Sequence, residues 1–152
     1  MVACTGTAAF DTAGMGLGKT VTATGLTLTG ADAGNYALAS PTATTTADIT
    51  AATVTPAVTA ASKIYDGTTA ATLTSCTVSG TVGDETVACT GTAAFDTASV
   101  GLGKTVTASG LTLTGADAGN YDLASTTATT TADITAATVT PAVTAANRIY
   151  DG

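Results

Sequence analysis

The chain has 152 residues, of which 39 are Thr and 33 Ala, with no His, no Trp and a formal net charge of −7. That charge excludes the basic footprint that displaces counterions from nucleic acid, and it disfavours anionic membranes. The 11 acidic residues are scattered, only Asp84 and Glu85 being adjacent, unlike a calcium loop, and at 10% charged residues the chain is no acidic disordered tail. No apolar run approaches the ~20 residues of a membrane-spanning helix. Met1-Val2-Ala3-Cys4 does not open a signal peptide, so for a secreted protein the export signal is expected outside this sequence.

Thr is β-branched and suits a pleated, half-solvated surface, so the composition predicts strands over helices. The core must then be built from Val, Ile, Leu and Ala, which makes it thin and dependent on staples. In chain order, the first strand-like segment is Val2–Phe10, and it returns as Val87–Phe95, an offset of 85 residues. Residues 1–67 match residues 86–152 at 59 of 67 positions, differing only at 1, 14, 15, 24, 37, 41, 62 and 63. A solenoid repeat is about 20 to 50 residues, so an 85-residue period predicts a small β-domain per unit. Residues 1–50 then read as the C-terminal part of one repeat, 51–135 as a complete repeat, and 136–152 as the first strand of the next.

Within the complete repeat, Thr53–Ala60 alternates as a strand, with Pro56 expected at an edge or bulge. Lys63-Ile64-Tyr65-Asp66-Gly67-Thr68-Thr69 follows, and Asp66-Gly67 is a turn signal. Ala71–Val78 and Glu85–Phe95 predict a hairpin around residues 79–84, which sets Cys76 and Cys89 across from each other. A cross-strand disulfide in an oxidising compartment is the expectation there. A redox or metal pair would need CxxC-like spacing or further ligands, and His is absent. Cys4, equivalent to Cys89, has no partner within the sequence.

Asp96–Gly103 is a Gly-containing connection, and Lys104–Gly115 carries two apolar runs, Val106/Ala108 and Leu111/Leu113. Ser109-Gly110 shifts their parity, which predicts a bulge that keeps both runs facing inward. Gly115–Ser125 then repeats Gly30–Ser40 with a single change, Asp122 for Ala37. Its Asp117-Ala118-Gly119-Asn120-Tyr121, like Asp32 to Tyr36, looks like the tyrosine corner of an immunoglobulin-type sandwich, with Leu123 where antibody domains carry Cys. Tyr121–Ala124 and Thr129–Thr135 complete about seven strands. The fold class expected is all-β, in tandem immunoglobulin-like antiparallel β-sandwich repeats of 85 residues.

Chemistry has little footing. Without His no Ser-His-Asp or Cys-His triad can be assembled, so no catalytic residue is assigned. Gly101-Leu102-Gly103-Lys104-Thr105 lacks the GxxxxGK[ST] spacing of a phosphate loop and runs on into a strand. Asp117, Asn120 and Asp122 suggest a metal site only until Ala37 is seen in place of Asp122, and a turn using Asp to satisfy backbone donors is the better reading. No cofactor and no metal are expected. Thr-rich stretches such as 129–131 read as a solvated face over an ice-binding one, and they are open to O-linked sugars. Lys104, matched by Lys19, is the one candidate for an intramolecular isopeptide bond, since Arg148 replaces Lys63 in the next unit.

Taken together, Lys63–Thr69, Gly103–Thr107, Leu113–Tyr121 and Thr131-Ala132-Asp133-Ile134 resemble the YDG repeats, and the related MBG repeats, of very large secreted bacterial surface proteins. Those parents look like filamentous-haemagglutinin-type adhesins. The resemblance implies an extracellular location at the bacterial surface and a structural stalk or fibre that projects a distal binding region. It transfers no catalytic residue. The partners expected are neighbouring repeats of the same chain. A second reading is self-association into a homopolymeric filament through an unpaired edge strand or Cys4. A third, a glycan- or protein-binding module, would call for exposed aromatics, whereas Tyr65 and Tyr121 look committed to turn and corner.

Overall fold

Alternation of Thr with Val, Leu, Ile and Ala gives each strand one apolar face, which must find a second sheet to leave water. The computed structural model describes residues 1–152 and is all-β, broken only by single-turn 3-10 segments at Ala33–Asn35 and Ala118–Asn120. No helix is long and apolar enough to cross a membrane. Strands β1 (Ala3–Phe10), β2 (Gly16–Thr29) and β3 (Ala43–Ile49) form one antiparallel sheet in that order. The rest of the chain supplies β4 (Ala52–Ala60), β5 (Lys63–Ile64), β6 (Ala70–Ala71), β7 (Leu73–Ser79), β8 (Ala88–Phe95), β9 (Gly101–Thr114), β10 (Tyr121–Leu123) and β11 (Ala128–Thr135). These make a three-stranded sheet, β10-β4-β7, and a five-stranded sheet, β5-β11-β9-β8-β6.

The two sheets face each other as a sandwich. Val58 packs with Ala108 and Leu111, while Phe95, Val106, Ala132 and Ile134 close the other half of the core. The predicted bulge is present: β8 and β9 shift register between Thr90 and Thr92, and Gly110 takes the left-handed φ of 61° that the extra residue needs. The shift turns Val106, Ala108 and Leu111 all inward, at 0%, 0% and 2% exposure. Gly91 lies opposite, where a Cβ would stand 2.7 Å from Leu111 Cδ2. Pro56 occupies the middle strand, but β10 reaches only Ala52–Val54, so the flank beside Pro56 is open.

Three expectations change. The segment 70–79 does not pair with 88–95 as one hairpin. It splits at Thr72, so that β6 joins β8 while β7 crosses to β4 in the opposite sheet. The connection from Ser79 to Ala88 is therefore a crossing between sheets. Nor is the pairing wholly antiparallel: β10 runs parallel to β4, and β5 parallel to β11. The expected connection Asp96–Gly103 is also shorter, because the strand that carries Val106 and Leu111 begins at Gly101 and runs 14 residues to Thr114.

Strands β1, β2 and β3 start at the same 85-residue offset from β8, β9 and β11, so residues 1–50 repeat one face of the sandwich. All ten buried residues lie between Val54 and Ile134. Phe10 is 40% exposed where its equivalent Phe95 is 3%. Residues 136–152 carry no strand, although 51–67, nearly the same sequence, form β4 and β5. A strand needs ladder partners, and β4 has them in β7 and β10.

Candidate functional site

Two constructions are built from the repeated motifs: a clamp on the crossing between the sheets, and a joint between the units. The clamp begins at the turn after β9. Asp117 Oδ2 accepts the backbone N–H of Thr86 at 2.8 Å. Four residues on, the Tyr121 hydroxyl accepts the Val82 N–H at 2.8 Å and donates to Glu85 Oε2. The Glu85 carboxylate beside it holds the phenol above its ordinary range. The contact with Val82 spans 39 residues, so this tyrosine ties the start of β10 to the crossing instead of closing a local corner. In the first unit Asp32 pairs with the N-terminal ammonium, and Tyr36 is 64% exposed.

The disulfide Cys76–Cys89 joins β7 to β8, with Cα atoms 5.1 Å apart. Because those strands belong to different sheets, the bond is an inter-sheet staple, not the cross-strand bond of a hairpin. The crossing is thus fixed at both flanks by the disulfide and from above by Asp117 and Tyr121. Cys4 is free and exposed.

The Lys63–Thr69 motif closes on itself. Lys63 Nζ donates to Asp66 Oδ1 (2.8 Å) and to the carbonyls of Thr68 (2.8 Å) and Ala70 (2.9 Å), and it stands 5.6 Å from the Phe95 ring centroid. Asp66 Oδ1 also accepts the Thr68 N–H. The Lys63 hydrogen bond, aided by Thr68, brings the Asp66 pKa down to about 2. Since that value is below the ordinary carboxylate range near ~4, the loop's contribution to stability is complete above that range and is lost as pH falls through about 2. A carboxyl-detected NMR titration should place the Asp66 midpoint near 2, and Lys63→Met should move it up toward the ordinary value. An unmoved midpoint in that variant would reject Lys63 as the cause.

Asp133 Oδ1 accepts the Gly103 N–H at 2.7 Å, where β9 gains its second extra residue against β11. Asp48 and Gly18 repeat the bond at 2.7 Å. Gly101–Thr105 is therefore strand and bulge, with an amide given to a carboxylate. Lys104 Nζ lies 3.0 Å from Asp96 Oδ1, and this contact holds Asp96 below its ordinary pKa. An amide between them would need the acid in its protonated form, and the lowered pKa favours the Asp96 carboxylate.

In the sequence Asn120 reads as a turn residue or a candidate metal ligand, with no sign of a contact to another unit. Its Oδ1 accepts the backbone N–H of Met15, in the β1–β2 loop of the preceding unit, at 2.9 Å. Only Thr50 and Ala51 separate β3 from β4. A cleft of about 250 Å³ lies in this joint, lined by Met15, Ile49, Ala52, Val82, Glu85 and Tyr121 among others. Of the three residues weighed as metal ligands, Asp117 and Asn120 are thus committed to backbone donors in two different units, and Asp122 is exposed on β10. Asn35, the equivalent of Asn120, signals the motif's recurrence, but nothing local announces a partner in another unit.

No curated protein and no solved structure matches the chain. The family model of the YDG domain matches it twice, over residues 1–47 and 49–132. On this nearly complete coverage the chain belongs to the YDG-domain family.

Proposed function

We propose that the chain is a structural segment of an extracellular bacterial adhesin stalk or surface fibre, made of tandem immunoglobulin-like sandwich repeats of 85 residues. The observation that carries this reading is the joint: two linker residues, with Asn120 clipping Met15 across it. Further support comes from strand direction. Within the complete unit β4 continues into β5 after two residues, and β5 runs parallel to β11. The chain therefore comes in at one end of the sandwich and leaves at the other, as a rod of stacked units requires. The polar side chains of the repeated motifs serve turns, bulges and the crossing between sheets.

Small-angle scattering of the full chain should fit one extended shape with a narrow distribution of inter-unit angles. Asn120→Ala should broaden that distribution while unfolding free energy stays within about 1 kcal/mol, since one exposed hydrogen bond is lost. Electron microscopy of the parent protein from its cells should show thin beaded strings ending in a distinct head. Units that reorient freely in the unaltered chain would sink the stalk reading.

A further inference from the structure

We propose that Cys76 is a site of thiol–disulfide exchange in the folded unit: a low-molecular-weight thiol enters the groove between β7 and β8, bonds to Cys76 and opens the inter-sheet staple. This goes beyond the stalk reading and stands without it. The groove has a volume of about 350 Å³ and is lined by Leu73, Thr74, Ser75 and Cys76 on one bank and by Cys89, Thr90 and Gly91 on the other. That volume lies within the ~300–1,000 Å³ range of small-molecule pockets.

The groove exists because two strand edges meet there without bonding. β7 is paired with β4 on its other side, and β6 pairs with β8 only at Ala93 and Ala94. From Cys89 to Gly91 the outer edge of β8 therefore has no ladder partner. Thr74, Ser75 and Thr90 on the two banks are exposed. No backbone rung crosses the groove to keep a thiol from the disulfide.

The two sulfurs are not equivalent. Cys89 is 8% exposed, while Cys76 is more open. Cys89 Sγ also lies 3.5 Å from the Thr77 carbonyl oxygen. An incoming thiolate attacks Cys76 Sγ, the bond to Cys89 breaks, and its electron pair stays on Cys89 Sγ. The proton given up by the incoming thiol goes to that sulfur, and the new S–H has the Thr77 carbonyl as its acceptor. A second thiol molecule then attacks the small-molecule sulfur of the mixed disulfide. A small disulfide departs and Cys76 is left as a thiol. Two external thiols are oxidised and one protein disulfide is reduced. The crossing between the sheets is then held by Asp117 and Tyr121 without the staple.

The test uses the oxidised full chain with Cys4→Ser, which removes the exposed free thiol. Its reduction by dithiothreitol, followed by mass, should run at a rate that stays flat with urea below the unfolding transition, because no further surface has to open. Thr90→Trp narrows the groove at an exposed position and should slow reduction by about tenfold at an unchanged denaturation midpoint. With glutathione as the thiol and N-ethylmaleimide as the trap, tandem mass spectrometry should find glutathione on Cys76 and maleimide on Cys89. A rate that climbs steeply with urea below the transition means that the bond is reached through unfolding, and overturns the proposal. An unchanged rate in Thr90→Trp rejects the groove as the route, and glutathione carried mainly by Cys89 rejects Cys76 as the site.

Discussion

Replacing Cys76 and Cys89 together by Ala is expected to lower the unfolding free energy of the complete unit by about 3 kcal/mol, the loop-entropy value for a ring of roughly 14 residues. Chemical denaturation read at the midpoint, with unchanged slope, measures it. Few changes should cost more, because the core holds only ten buried residues and small domains are stable by about 5–15 kcal/mol. The position of the bond adds to its weight. A hairpin disulfide would duplicate a ladder already in place, whereas Cys76–Cys89 joins β7 to β8 where no ladder connects them. Cys4→Ala, at an exposed free thiol, should change stability by no more than about 0.5 kcal/mol. A double variant within 1 kcal/mol of the parent would show that the clamp of Asp117 and Tyr121 holds the crossing unaided.

Gly115→Ala should cost about 3 kcal/mol or more. Two independent effects add at this residue. Its φ of 115° lies where side chains other than hydrogen are strained by about 1–3 kcal/mol. A Cβ there would also sit 2.3 Å from the Thr86 carbonyl oxygen, and that atom is backbone and cannot swing aside. Relief would push Thr86 away from Asp117, so the clamp should loosen and Glu85 should separate from Tyr121. Gly119→Ala is the control four residues on: nothing stands within 4 Å of its Cβ, and its effect should stay within about 1 kcal/mol. Equal costs at the two positions would mean that the close approach to Thr86 is not limiting.

The sequence made the repeat, the bulge at Gly110 and the disulfide partners legible, because each depends on spacing along one strand or on identity at a fixed offset. What it hid is sheet membership. Ala71–Val78 and Glu85–Phe95 read as a hairpin since both alternate and a turn lies between them. Nothing in that pattern records that Thr72 marks a change of sheet, which is decided by β4 and β8 competing for the same segment. The parallel ladders were hidden for the same reason, as β10 has three residues and β5 two, too few to show a period. Tyr121 was legible as an anchored tyrosine, but its partners Val82 and Glu85 were not, since a hydroxyl's reach over 39 residues leaves no local trace. Asn120 lay furthest out of view because its partner belongs to another unit.

The two parallel ladders have a mechanical consequence. In the proposed stalk, tension along the chain would reach the complete unit at Ala52 and leave it at Thr135. The first strand is bonded to β10 and the last to β5, each running the same way as its neighbour. A pull along such strands loads every rung of a ladder at once, in shear, whereas a hairpin pulled at its open end yields one rung at a time. Single-molecule stretching through residues 51 and 136 should therefore meet higher rupture forces than stretching through residues 88 and 114, at the open end of the β8–β9 hairpin. The disulfide then sets how far the ruptured unit can extend, since the chain between Cys76 and Cys89 stays locked inside the bond.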